Sequence, residues 1–275
     1  MASGDLTRVR TNIAALNALQ ALRNINADLN IHTLRLSTGK RINSAGDDPA
    51  GLILGNLLTN RSRQVGAALQ NVGDAQNLMS ISEGGLNNIN ELLSTMAEKV
   101  TLAASDTQGV AQRSAIQNEL NQLGLEIDTI TQQTQFNGVI LLTALTMTFQ
   151  TGPDSLNYQV FAIASALHSA ALLINTLTVA TQALASQSLL TVNNAITTIQ
   201  NNLQLVGSTL ERFNVRVSNL GVSQVNLQAA ASRILDADLA AEQLMTSRDQ
   251  ILQSTATTQL AAANAATGSI LSLFK

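Results

Sequence analysis

Cysteine and tryptophan are absent from the 275 residues, and proline occurs only at Pro49 and Pro153. The lack of cysteine excludes a disulfide framework and thiolate chemistry of any kind. The scarcity of proline leaves everything beyond Pro153 free of the strongest helix breaker. Aromatic residues make up 2% and charged residues 12% of the chain, against a usual charged fraction of about 25%. A formal net charge of -3 provides no basic stripe to neutralise phosphates. With base-stacking aromatics nearly missing as well, the composition argues against nucleic-acid binding. No apolar run approaches the roughly 20 residues of a membrane span. The opening Met-Ala-Ser-Gly-Asp-Leu-Thr-Arg lacks the apolar stretch of a secretory signal peptide, and by that test alone the chain reads as cytoplasmic.

What fills the gap is Ala, Leu, Asn, Gln, Ser and Thr, a mixture suited to long helices packing through small side chains. Ala15, Ala18, Leu22, Ile25, Leu29, His32 and Leu36 alternate steps of three and four, a heptad seam. Val9, Ile13, Leu16 and Leu19 lie beside or opposite it, so this first helix has more than one partner to satisfy. Val65, Ala68, Val72, Ala75, Met79, Ser82, Leu86, Ile89, Leu93, Met96, Val100 and Ala103 keep the same alternation without a slip. At a rise of about 1.5 Å per residue they predict a rod on the order of 60 Å. A break at Ser105–Gly109 precedes a third helix, marked by Ile116, Leu120, Leu123, Ile127 and Ile130, that folds back along the second.

The period then changes from helix to strand. Asn137-Gly138 marks a turn, Leu145, Met147 and Phe149 alternate with polar residues, and Asn157–Phe161 supplies a return strand, which together predict one β-hairpin with a longer loop. Residues 162–190 show no single period and read as mixed helix and turn. The heptad returns as Val192, Ile196, Ile199, Leu203, Val206, Leu210, Phe213, Val217, Leu220, Gln224, Leu227, Ala231 and Ile234, a second rod. Past it the seam turns small, through Ala237, Ala241, Leu244, Arg248, Ile251, Thr255, Thr258 and Ala262, and the chain ends in an apolar tip, Ile270-Leu-Ser-Leu-Phe-Lys275. The expected fold is mainly α: a long antiparallel helical coiled-coil bundle with one small β-hairpin, its N- and C-terminal helices paired at one end.

Between the first two helices lies the densely punctuated stretch Leu36–Gly51. Gly39 and Gly46 permit backbone angles that other residues avoid, and Asp48 before Pro49 reads as an N-cap followed by proline at the first helical position. Asp47 and Asp48 do not read as a catalytic carboxylate pair, because no third ligand or histidine lies near them in sequence. His32 and His168 belong to no metal-binding spacing, and Gly84-Gly85 lacks the preceding strand of a phosphate loop. Neither an enzyme nor a cofactor site is supported. The sharpest expectation is that Arg41 pairs with Asp47 or Asp48 to fix the bend or to bridge subunits, against the plainer reading of a solvated surface pair.

Leu36-Ser-Thr-Gly-Lys-Arg-Ile-Asn-Ser-Ala-Gly-Asp-Asp-Pro-Ala-Gly-Leu52 resembles the flagellin N-terminal signature. Gln135-Phe-Asn-Gly138 is similar to that family's bend after the third helix. Ser232-Arg-Ile-Leu-Asp-Ala-Asp-Leu-Ala and Ser247-Arg-Asp-Gln-Ile-Leu-Gln253 look like its C-terminal signature. The resemblance implies a subunit of the extracellular flagellar filament, exported unfolded by the flagellar type III apparatus without a cleaved signal peptide. It further implies a helical polymer of many copies, with hook-filament junction proteins, cap proteins and an export chaperone as partners. Residues 1–40 and 235–275 would form the inner tube. The connector 41–52 would lead to the rod domain of 53–161 and 191–234, and 162–190 would be a short variable segment in a core-only form.

Subunit contact is assigned to Leu22, Ile25, Leu29 and Leu36 on the first helix and to Arg41, Ile42, Asn43, Asp47 and Asp48 in the connector. On the C-terminal side it is assigned to Ile234, Asp236, Asp238, Leu244, Arg248, Ile251, Leu252, Leu271 and Phe274. Lys40, Pro49, Leu235 and Leu239 depart from residues common in the family. Ala97 stands where the segment sensed by the flagellin-binding Toll-like receptor carries Arg, while Glu98 remains. Two other readings compete: a hook-filament junction protein, which resembles flagellin at both ends, and a secreted coiled-coil effector or adhesin, which accounts for the heptads but not for the paired terminal motifs.

Overall fold

The structure is a computed structural model that describes residues 11–163 and 166–272, with side chains described as far as Ala266. Its helices are α1 (Ile13–Thr38), α2 (Pro49–Ala103), α3 (Val110–Gln133), α4 (Gln182–Leu235) and α5 (Leu239–Ser272), and its strands are β1 (Gln135–Phe136), β2 (Val139–Ile140), β3 (Leu145–Gln150) and β4 (Tyr158–Ile163). The chain divides into two compact units. One is Arg61–Val225, and the other comprises, among the described residues, 11–60 and 226–272. Among the described residues no helix is long and apolar enough to cross a membrane.

In the Arg61–Val225 unit, every residue of the seam from Val65 to Ala103 is buried. Burying each large apolar side chain there contributes roughly 1.5–3 kcal/mol. Ser82, the polar member of the row, returns its hydroxyl to the Leu78 carbonyl at 3.0 Å, so its burial strands no donor. Along α4, buried Val192, Ile199, Val206, Phe213 and Leu220 alternate with half-buried Ile196, Leu203, Leu210 and Val217. The two helices run antiparallel, with Gln76 donating to Asn214 at 2.8 Å. Helix α3 does turn back along α2. Lys99 meets Glu119 at 2.6 Å, and Arg113 donates to the carbonyls of Ala103 and Ser105, groups that the end of α2 would otherwise leave unpaired.

The hairpin differs from expectation at one point. Strands β3 and β4 pair antiparallel in the register Leu145↔Ile163, Met147↔Phe161 and Phe149↔Gln159, and the Phe149 ring meets Phe213 of α4 edge-on at 5.7 Å. Asn137-Gly138, expected only as a turn, closes a two-residue ladder of its own between β1 and β2. Both turn residues have positive φ, 49° and 79°, the signature of a hairpin turn whose twist matches its strands. The aperiodic segment 162–190 also resolves differently. Strand β4 runs to Ile163, a single 3₁₀ turn occupies Ile174–Thr176, and α4 begins at Gln182, ten residues before the heptad becomes visible. Leu167, Leu172, Ile174, Leu177 and Val179 are buried. Polar side chains hold the segment in place: Asp128 accepts from the Ser169 N–H and hydroxyl, while Gln117 receives the Val179 N–H and donates to the Leu177 carbonyl. Periodicity fails there because the apolar residues plug a core from a loop.

The tip of the β3–β4 hairpin is fastened to α2 by a two-pronged pair, Arg61 Nη1 and Nη2 each 2.7 Å from an Asp154 oxygen. The guanidinium hydrogen bond, assisted by its charge and by Asn157, holds the Asp154 carboxyl below the ordinary carboxylate range. A depressed acid stabilises above its unfolded-state pKa, and that contribution disappears as pH falls through the folded one. Amide protection across β3–β4 should therefore decline on acidification below the ordinary carboxylate range. Arg61→Ala should show the lowered protection already at neutral pH and lose the acid dependence, which hydrogen exchange by mass spectrometry reads directly.

Candidate assembly interface

Among the described residues, α1 and α5 pack antiparallel on each other, as a row of hydrogen bonds shows. Asn12 donates to the Ala263 carbonyl at 2.8 Å, Gln253 donates to Asn26 at 2.6 Å, and Arg35 Nη1 lies 3.3 Å from Glu242 Oε1. The heptad residues Leu22, Ile25, Leu29 and Leu36 are half-buried along α1. On α5 the expected seam is displaced by about one residue. Leu244 and Ile251 are 64% and 67% exposed, with Leu252, Arg248, Thr255 and Thr258 also exposed. The row buried or half-buried instead is Glu242, Thr246, Asp249, Gln253, Ala256, Leu260 and Ala263. One residue is about 100° of helix, so the apolar stripe points away from α1. Hydrophobic periodicity located that stripe, which the sequence reading gives to subunit contact, while the face toward α1 is carried in its first half by Glu242, Thr246, Asp249 and Gln253.

The connector and the α4–α5 joint are hydrogen-bonded to each other through main-chain atoms. The Ala237 N–H donates to the Gly39 carbonyl at 2.9 Å, the Arg41 N–H donates to the Leu235 carbonyl at 2.7 Å, and Lys40 and Asp236 form an isolated antiparallel bridge. Gly39 makes this geometry possible by capping α1 at φ 69°, its N–H returning to the Arg35 carbonyl.

The expected pairing of Arg41 with Asp47 or Asp48 is not formed. Arg41 Nη2 donates to the Ile234 carbonyl at 2.7 Å, covering an acceptor near the end of α4. Asp47 folds the connector on itself by accepting from the N–H groups of Asn43 and Ser44. The Ser44 N–H, then the Asn43 N–H, the Ser44 hydroxyl and the nearby charge of Arg35 hold its carboxyl below the ordinary range. Asp48 is the N-cap of α2, accepting from the Gly51 N–H at 2.9 Å. Asp238 caps α5 in the same way through the N–H groups of Ala240 and Ala241. Each carboxylate thus serves backbone donors that a helix or turn start would strand, and the Arg41 guanidinium is instead held by the Ile234 carbonyl. Asn43 donates its side chain to the Lys40 carbonyl, Ile42 is buried, Ile234 is half-buried and Asp236 is exposed. Phe274 and the side chain of Leu271 lie outside the described residues. Ala97 and Glu98 sit on α2, half-buried and exposed respectively.

Two family profiles cover most of this arrangement. That of the bacterial flagellin N-terminal helical region matches residues 9–146, and that of the C-terminal helical region matches residues 189–274. The chain belongs to the flagellin family. Among its relatives, the flagellar filament 33 kDa core protein of Treponema phagedenis is 30% identical over 97% of this chain and 99% of its own length. The flagellin of Bacillus subtilis is 31% identical over 98% of this chain and all of its own. A crystal structure of Bacillus cereus flagellin aligns with a TM-score of 0.50 at 25% identity, covering 55% of this chain and 88% of that one. In this flagellin-family chain the α2 and α4 seams and the Asp48 cap stand where the sequence places them, the α5 seam does not, and the close approaches do not show in any motif. A Cβ on Gly55 would lie 2.5 Å from the Leu235 side chain, and one on Gly51 would lie 2.3 Å from Asp48. Glycine inside an otherwise unbroken helical pattern was the available signal.

Gly55→Ala should destabilise the protein by about 1–3 kcal/mol, the usual cost of overpacking. Gly73→Ala, where a Cβ meets nothing within 4 Å, should be neutral or stabilising by up to about 1 kcal/mol. Denaturant melts of the two variants check the contrast.

Proposed function

We propose that this flagellin-family subunit builds the core of an extracellular flagellar filament by ordering its terminal helices against neighbouring copies. The observation that carries this reading is the division of labour on α5, whose polar row is spent on α1 while Leu244 and Ile251 face outward. Helix α1 likewise exposes Ile13, Leu16, Ile31 and Leu34, and the start of α2 exposes Ile53, Leu54 and Leu57. Apolar side chains gathered in this way mark a surface that another chain covers. Leu244, Arg248, Ile251 and Leu252 on α5 form the contact region, and the exposed connector residue Arg41 is available beyond the joint it makes with Ile234. Residues 1–40 and 235–275 act as the inner tube, with export through the flagellar type III apparatus in an unfolded state. The partners are further copies of the chain, junction and cap proteins and an export chaperone. The role is structural and not enzymatic.

Purified chain seeded with filament fragments should extend into long, uniform tubes in electron micrographs. Circular dichroism should record more helix in those tubes than in the soluble subunit, since the cost of ordering the terminal helices is offset by burial against neighbours. Equal helix content in both states would sink the ordering step, and failure to extend seeds would favour a junction protein.

The position of Ala97 beside exposed Glu98 carries a second consequence. Where related segments place a guanidinium, alanine offers no hydrogen bond and little for which the loss can be compensated. Signalling through the flagellin-sensing Toll-like receptor should be weak in a reporter-cell assay, and Ala97→Arg should raise it.

A further inference from the structure

The polar row between α1 and α5 contains a group that the filament reading does not use. His32 lies between two carboxylates of α5, with Nδ1 2.5 Å from Glu242 Oε2 and Nε2 3.7 Å from Asp249 Oδ2. The outer oxygens are already served. Arg35, one turn along α1, holds Glu242 Oε1, and Arg248 holds Asp249 Oδ1 through Nε and Nη2. Asp249 is only 2% exposed, and its Oδ2 is buried without a hydrogen-bond partner. An ionised carboxylate only accepts, so each ring nitrogen needs its own proton to serve the oxygen it faces. With one ring proton, the hydrogen bond to Glu242 can be kept, but the ring then turns a lone pair toward the orphaned Asp249 oxygen. With two, Glu242 keeps its hydrogen bond and the charged ring stands 3.7 Å from the orphaned oxygen, an ionic contact that offsets its buried charge. A buried charge left without a partner is costly, so the two states of the ring differ in how firmly they hold the helices together.

We propose that His32 is a pH-responsive clasp between the terminal helices. The doubly protonated ring ties α1 to α5 through Glu242 and Asp249, and loss of one ring proton loosens the pair. The helix pair therefore tightens as pH falls and opens more often as pH rises.

The clasp draws on the filament reading only for the state in which it is measured. Hydrogen exchange by mass spectrometry, on seeded and unseeded full-length chain at pH 5.5 and 8.5, reads the opening of α1 and α5 peptides after correction for the chemical exchange rate. Electron micrographs of the same samples record assembly separately. The expected result is about tenfold more frequent opening at pH 8.5 than at pH 5.5, which corresponds to about 1.4 kcal/mol. His168→Gln, which removes the other histidine, should keep that ratio. His32→Gln and Asp249→Asn should each bring it close to one. An unchanged ratio in either clasp variant, or equal opening at both pH values in the parent chain wherever the helices are protected, would overturn the proposal, as would helices unprotected at both pH values in both states.

Discussion

The α1–α5 end of the molecule depends on a short antiparallel contact between two corners of the backbone. Gly39 and Arg41 on one side and Leu235 and Ala237 on the other exchange main-chain hydrogen bonds of 2.7–2.9 Å. This contact fixes where α1 leaves α2 and where α5 leaves α4. Everything the terminal pair then does follows from that alignment. Gly55 lets α2 approach Leu235 closely enough to hold it, Asp48 and Asp238 start the two helices that leave the corners, and the Arg41 guanidinium covers the Ile234 carbonyl. Side chains adjust this corner, while the backbone makes it.

Helix α5 shows how a chain with few charges spends them. Its two carboxylates at Glu242 and Asp249 sit at the helix contact, where Arg35, His32 and Arg248 meet them. The large apolar residues Leu244, Ile251 and Leu252 are turned outward. A soluble protein that expected to remain alone would reverse the two faces, because burying polar groups gains little and exposing leucine loses much. The inversion is economical for a subunit of a polymer. The weak, directional polar contacts set how α1 and α5 line up, and the stronger apolar burial is left for contact between copies.

Legibility in the sequence followed from how each element is buried. The α2 seam could be taken from the sequence without error because it packs on one side only and its period is unbroken from Val65 to Ala103. The hairpin was recognisable from Leu145, Met147 and Phe149, and the caps from Asp48 before Pro49, since those signals are local. The α5 register was not recoverable, because a face made of Glu242, Thr246, Asp249 and Gln253 carries no hydrophobic period. Nor was the course of residues 166–181, whose buried leucines are spaced by loop geometry. Arg41 was assigned to the wrong acceptor for a related reason. Sequence shows which charges are near each other along the chain, while its actual partner, the Ile234 carbonyl, belongs to a residue 193 positions away.

Because the corner contact is written in N–H and C=O groups, it is nearly blind to side-chain identity. Lys40, Asp236 and Ala237 can drift to almost any residue without breaking it. The few replacements it forbids are those that change the main chain itself. Proline at position 41 or 237 deletes a donor, and a β-branched residue at position 39 resists the left-handed cap. Variation is thereby permitted at the joint in composition and refused in geometry.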